Sequence, residues 1–323
     1  MSLFNSPSTG PDDDSHLVLL WWMCLIGIAI FNCGILLRSA RAFHASNRVA
    51  YPPRLRSIRD TQLVMSSIYV YGCAYRSILP THHTLRRVLI RSNASSGFVG
   101  RTVATIAELG AAYQSSLLLY EVGTATNERD ALIITTSRII VPMLTIAEIF
   151  SWIACTTTNY AGSIIEEGLW AICALLVASC LAKCLVLYEV GGEQRDFVLR
   201  ALTLNVAYFA YMISVDVPNY VRGHLDNVAR GKSYRTVSDG LASLLSIDEH
   251  DLTWSYDDWR YSMCWMTLYF SVACWASIAI VNAPRMDEGL VMGRSKSSLL
   301  SNSSSAVTAT ATATALSTEK KAL

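Results

Sequence analysis

Histidine is missing from every long apolar run of this chain. His16, His44, His82, His83, His224 and His250 all fall outside those runs, and no HExxH or HxxxH pair lies on one. A histidine-ligated zinc or iron centre inside the apolar segments is therefore not expected, and neither a metal site nor a cofactor is assigned. Charge is also scarce. Only 16% of the residues are charged, where a soluble domain carries about 25%. The net charge of +1 leaves no basic field for nucleic acid. No CxxC pair occurs, and the nine cysteines lie in or beside apolar segments, which argues against a disulfide-stapled ectodomain. Cys180 and Cys184 are one helical turn apart and read as packing residues. No lysine or arginine precedes the first apolar run, so that run does not read as a secretory signal.

What remains is apolar. The 323 residues are 52% hydrophobic, with mean hydropathy +0.34. A helix rises about 1.5 Å per residue against a hydrocarbon core of about 30 Å. On that measure the sequence predicts an all-α polytopic transmembrane bundle of seven spans, at 17–37, 63–79, 97–121, 131–155, 163–188, 197–217 and 261–281. The acidic segment 1–16 and the Ser/Thr/Ala-rich tail 283–323 read as disordered. Residues 219–259 form the one sizeable loop. Arg38, Arg41, Arg48, Arg54, Arg56 and Arg59 follow the first span and place that loop in the cytoplasm. The N-terminus is then outside and the C-terminus inside. Pro52 and Pro53 read as breaks in that loop. Residues 81–96 read as an interfacial helix with Leu85, Val88 and Leu89 on its apolar face. The matched stretches LLYEVG…NERD and VLYEVGG…EQRD suggest a duplicated hairpin.

The third expected span carries Arg101 and Glu108, seven residues and two turns apart, hence on one face. Charges in hydrocarbon are costly unless they pair, face protein or line water. With the expected topology, Arg76, Arg101, Glu148, Glu166, Glu167 and Asp216 fall in the outer half of the spans, and Glu108 near the midplane. They suggest a polar cavity opening outward with Glu108 at its floor. Glu108, Glu148, Arg101, Glu166, Glu167 and Arg76 are the candidate ligand- or ion-binding residues; no catalytic residue is assigned. Each has a structural alternative. Ser163 to Glu166 fits a capping box, Arg76 and Lys183 fit snorkelling, and Arg101 with Glu148 fits a helix-locking ion pair. The acidic run around His250 lacks the spacing of a calcium loop.

Family signatures are sparse. The third span closes on Tyr120-Glu121 rather than an acid-Arg-Tyr triplet, and the last contains neither NPxxY nor a lysine. These absences separate the chain from G-protein-coupled receptors and microbial rhodopsins. The stretch NYAGSIIEEGLW, Asn159 to Trp170, resembles the NYxxSxxxAE tract of alkaline ceramidases, seven-span zinc hydrolases. The histidines of that family are absent, so its activity is not carried over. The reading is an integral membrane protein, a transporter or channel-like protein for a small polar or ionic solute. The alternatives are a receptor or scaffold whose buried charges are structural, and a lipid-modifying enzyme. Expected partners are the bilayer and a small ion or polar solute.

Overall fold

Pro53 begins a helix instead of ending one. Its fixed φ and missing N–H suit the first helical position, and the helix runs on to Ile78. The computed structural model describes residues 14–47, 52–125, 130–286 and 290–292. It is all-α, with two small sheets. The helices are α1 (Ser15–Ala42), α2 (Pro53–Ile78), α3 (Gly97–Ala125), α4 (Ala131–Thr157), α5 (Tyr160–Leu187), α6 (Gly192–Tyr211), α7 (Val217–Ala229), α8 (Val237–Leu245), α9 (Tyr256–Leu268) and α10 (Cys274–Val281). A π-helical turn at Met212–Asp216 joins α6 to α7, and another at Tyr269–Ala273 joins α9 to α10. Most of segment 1–16 and of the tail 283–323, with Arg48, lies outside the described residues.

Five of these helical stretches are long and apolar enough to cross a membrane: Ser15–Ala45, Ala131–Thr157, Tyr160–Leu187, Gly192–Ala229 and Tyr256–Val281. Helices α2 and α3 have the length but not the composition. The reason is their place in the bundle. Helix α3 packs against α2 on one side and α4 on the other, and α2 also packs on α1 and α10. Helices walled in by protein can carry polar residues that a lipid-facing helix cannot.

Two apolar cores divide the interior. One gathers Val18, Leu25, Leu36, Tyr69, Trp259 and Phe270 from α1, α2 and α9–α10. The other gathers Leu119, Ile133, Ile140, Leu144, Leu181 and Val198 from α3 to α6. Helices α4 and α5 approach closely at Gly162, where a Cβ would stand 2.6 Å from the Phe150 carbonyl oxygen. Within the π turn Tyr269–Ala273, the Phe270 oxygen accepts from Asn32 of α1 at 2.7 Å.

Residues 81–96 are not an interfacial helix. They form strands β1 (Thr81–His82) and β2 (Arg87–Val88), then a short 3-10 turn, Asn93–Ser95. Strand β2 also pairs in parallel with Asp251–Leu252. Arg86, at the bend with φ 55°, is buried. It donates to the carbonyls of His83, Cys155 and Gly240 and to Ser243 Oγ. These bonds, rather than an apolar face, decide the conformation of the segment. The loop 219–259 is likewise ordered, with α8 laid on α4 and α3.

The suggested duplication does not extend to conformation. The first LYEVG, Leu119 to Gly123, lies inside α3, whereas the second leaves α5 and pairs as Tyr188–Val190 with Leu290–Met292.

His250 shows how the loop holds the start of α3. Its Nε2 accepts the Gly97 N–H at 2.9 Å while its Nδ1 faces the Ser246 oxygen at 2.9 Å. Nδ1 therefore carries the proton. Burial pushes the His250 imidazole below its ordinary range, because the charged form is poorly solvated there. Its contribution to stability is complete above the unfolded value of about 6.5. It is lost as pH falls below that value, since only the unfolded chain readily binds the extra proton. Burial lowers His82 and His83 as well, with the same sign. The melting temperature should therefore fall on acidification from pH 7 to 5. His250→Gln should be less stable at pH 7 and show a shallower fall, checked by melting curves across that range.

Candidate functional site

The site lies at the N-terminal half of α3. Arg101 and Glu108 share the face that meets α4, α5 and α2. Arg101 Nη2 donates to Glu108 Oε2 at 2.7 Å and to Glu148 Oε2 of α4. Its Nη1 lies 3.5 Å from Glu166 Oε1 of α5. One guanidinium thus joins three helices. Arg101, Glu108, Glu148 and Glu166 are 5%, 7%, 3% and 7% exposed, so little water screens the cluster.

A ring of polar side chains completes it. Thr105 donates to Glu148 Oε2 at 2.6 Å and receives the Trp152 indole N–H at 3.1 Å. Tyr269 donates to Glu108 Oε1 at 2.9 Å, and Arg76 reaches the same oxygen at 3.4 Å. The π turn that begins at Tyr269 is what brings this phenol to the carboxylate; π turns often mark functional positions.

Arg76 does not snorkel. It is 6% exposed and lies over the rings of Trp265, Tyr269 and Phe270 at 5.7, 5.6 and 5.4 Å, where the ring faces favour a cation. Glu166 is not a capping residue. Helix α5 starts earlier, at Tyr160, and Asn159 caps it by accepting the Ala161 N–H at 3.0 Å. Lys183 pairs with Asp130, the N-cap of α4, at 2.6 Å. Glu167, one position round the helix, is only half-buried, as is Asp216 at the end of the first π turn. Neither makes an ion pair among the described residues.

Two residues enter the site that sequence reasoning placed elsewhere. His83 lies outside every apolar run, yet its ring folds back onto α3. A Cβ at Gly100 would stand 2.6 Å from His83 Cε1, one residue before Arg101. Burial first, then the charges of Arg76 and Arg101, holds this imidazole well below its ordinary range. Both ring nitrogens lack a hydrogen-bond partner among the described residues. Tyr269 sat in an aromatic-rich stretch with no signal to single it out.

The face of α3 continues to its other end. Gln114 donates to the Ser277 oxygen at 2.8 Å and accepts from Ser277 Oγ at 2.7 Å, while Ser277 Oγ lies 3.0 Å from Ser66 Oγ. At the far end Glu121 pairs with Arg59 at 2.7 Å. Arg59 is therefore no loop arginine; it is fully buried in α2. Polar groups thus recur along this buried stripe at both ends and in the middle.

Chemically, the cluster presents more carboxylate than guanidinium. Glu108, Glu148 and Glu166 face Arg101 and Arg76. An unbalanced buried negative charge is costly unless a proton or another cation neutralises it. The chain matches no protein-family model, no curated protein and no solved structure, so what this cluster does is argued from its own geometry.

Proposed function

We propose that this protein is a multi-pass membrane protein that binds and conducts a small cation, the proton included, through its buried carboxylate cluster. In this reading all seven long helical stretches cross the bilayer, with the N-terminus outside. Helices α2 and α3 are the interior spans. The observation that carries the proposal is the convergence of Glu108, Glu148 and Glu166 within 4.8 Å of one another around one arginine. Carboxylates in excess at membrane depth attract exchangeable positive charge, and the polar stripe of α3 gives that charge somewhere to go.

The role of Glu108 shifts within this picture. It is held by Arg101, Arg76 and Tyr269 together, which suits an anchor better than an exchange group. Glu148 has one oxygen, Oε1, with no hydrogen-bond partner among the described residues, and is the better exchange group. Reconstituted protein should pass protons or alkali cations down a gradient. Glu148→Gln should cut that flux about tenfold or more and flatten its pH dependence, read with an entrapped pH dye and a cation-selective electrode.

The second reading is a receptor or scaffold whose charges only specify helix pairing. The bridging of three helices by the terminal nitrogens of Arg101 favours it. Flux at the level of empty vesicles for wild type, or flux untouched by Glu148→Gln, would establish that reading instead.

A further inference from the structure

One face of α2 is polar from end to end. Arg59, Gln62, Ser66, Tyr69, the Cys73 thiol and Arg76 follow one another at steps of three and four, the spacing that keeps side chains on one side of a helix. All of them are buried. From Arg59 to Arg76 the helix rises roughly 25 Å at about 1.5 Å per residue, close to the thickness of a hydrocarbon core. Helix α2 packs against α3 and α10, and polar groups of the three meet in tiers along this seam. In the tier nearest Arg101, Arg76 and Tyr269 hold Glu108. Tyr69 packs edge-on against Tyr269, with ring centroids 5.7 Å apart. In the middle tier Ser277 Oγ lies 2.7 Å from Gln114 Oε1 and 3.0 Å from Ser66 Oγ. In the far tier Gln62 and Glu121 accept from Arg59. Two groups on the seam point beyond helix pairing. Gln62 Nε2 and Arg59 Nε make no hydrogen bond among the described residues, although both residues are 0% exposed. Buried donors of this kind in folded proteins are met by ordered water.

We propose that this seam is the conduction route of the bundle and that its solute is the proton. The middle tier makes the selection. Its groups are the hydroxyls of Ser66 and Ser277 and the carboxamide of Gln114, bonded to one another. A hydroxyl both donates and accepts. It can therefore take a proton on its oxygen and release its own to the next acceptor, with no charge left behind. A desolvated alkali cation needs a ring of carbonyl or carboxylate oxygens in place of its water, and the middle tier holds no carboxylate. Between tiers, the phenols of Tyr269 and Tyr69 and water on the Gln62 and Arg59 donors pass the proton by the same exchange. One proton taken up at the cluster and one released past Glu121 leave the chain unchanged. The inference rests on the cation-conducting reading and narrows its solute.

Proteoliposomes holding the full chain test it, with an entrapped pH dye, a membrane potential set by K+ and valinomycin, and tracer Na+ uptake followed in parallel. Wild type should pass protons, while Na+ uptake stays at the level of empty vesicles. The proton flux should slow in D2O by more than the change in viscosity accounts for. Ser277→Ala should cut it tenfold or more, and Ser277→Thr, which keeps a hydroxyl, should restore most of it. Tyr269→Phe keeps the ring and should cut the flux likewise, so it decides the matter should Ser277→Ala fail to fold. Ser179→Ala removes an exposed hydroxyl on α5 and should leave the flux unchanged. A merely structural Ser277 would lower the melting temperature of Ser277→Ala and leave the flux per folded chain and its D2O effect alone. Na+ uptake above that of empty vesicles overturns the proton as the solute and keeps the conducting reading. Proton flux untouched by both Ser277→Ala and Tyr269→Phe overturns the seam as the route and also keeps that reading. No flux of either cation removes both.

Discussion

Arg101→Ala is expected to lower the stability of the folded bundle by about 3–5 kcal/mol, because removing one partner strands buried charge. Three carboxylates from α3, α4 and α5 lose their common donor. Arg76 still reaches Glu108, but no other arginine or lysine reaches Glu148 or Glu166 among the described residues. The expected drop in melting temperature is of order 10 °C, read by circular dichroism in detergent. Arg101→Lys should recover little, because one ammonium cannot span three helices as a planar guanidinium does. Glu148→Gln should cost less than Arg101→Ala, since Arg101 keeps Glu108 and Glu166. A melting temperature for Arg101→Ala equal to wild type would mean that water already screens the cluster.

Arg59→Ala should be comparably severe and differently distributed. Arg59 is fully buried. Its two terminal nitrogens donate to Gln62 Oε1 at 2.9 Å, the Ile280 oxygen at 3.0 Å, Glu121 Oε1 at 2.7 Å and the Pro284 oxygen at 3.2 Å. It therefore bonds the Ile280 carbonyl at the end of α10 and the Pro284 carbonyl after it while neutralising Glu121. Loss of such a buried partner costs about 3–5 kcal/mol. The local consequence is release of the segment after α10, where Ala283 and Met286 are buried. Hydrogen exchange over residues 283–286 should accelerate in Arg59→Ala and stay slow in Arg101→Ala. Arg59 meets α3 at Glu121, and Arg101 lies twenty residues earlier on the same helix, roughly 30 Å along it. Their losses should therefore add in the double variant. Strong non-additivity would show that the stripe of α3 acts as one coupled unit.

Much of the site was legible from spacing. Arg101 and Glu108 are two turns apart, so helical periodicity alone puts them on one face, and the structure joins them at 2.7 Å. The cost of charge in an apolar run marked Glu148 and Glu166 in the same way. Three other readings went astray for physical reasons. Arg59 was counted as a loop residue because Pro52 and Pro53 look like breakers, whereas a proline in the first turn is compatible with a helix. The helix expected over 81–96 does not form; the Arg86 backbone there is left-handed and its side chain ties four groups together. The capping box at Ser163 matched a local rule, but Asn159 starts the helix one turn earlier and leaves Glu166 facing Arg101.

The sequence by itself determined the class of the protein. Apolar runs of helix length, a low content of charge and the periodic placement of the exceptions point to apolar helices long enough to cross a membrane around a polar interior, because a helix pairs its backbone groups within itself and buried charges must pair or face protein. Tertiary structure alone decided which charges meet. That choice depends on the rotation of each helix about its axis, on π turns within the helices, and on loops that return across the bundle. None of these has a one-dimensional signature. Tyr269 reaches Glu108 and His83 packs against Gly100 through such features, and Arg76 lies on a ring surface that only packing assembles.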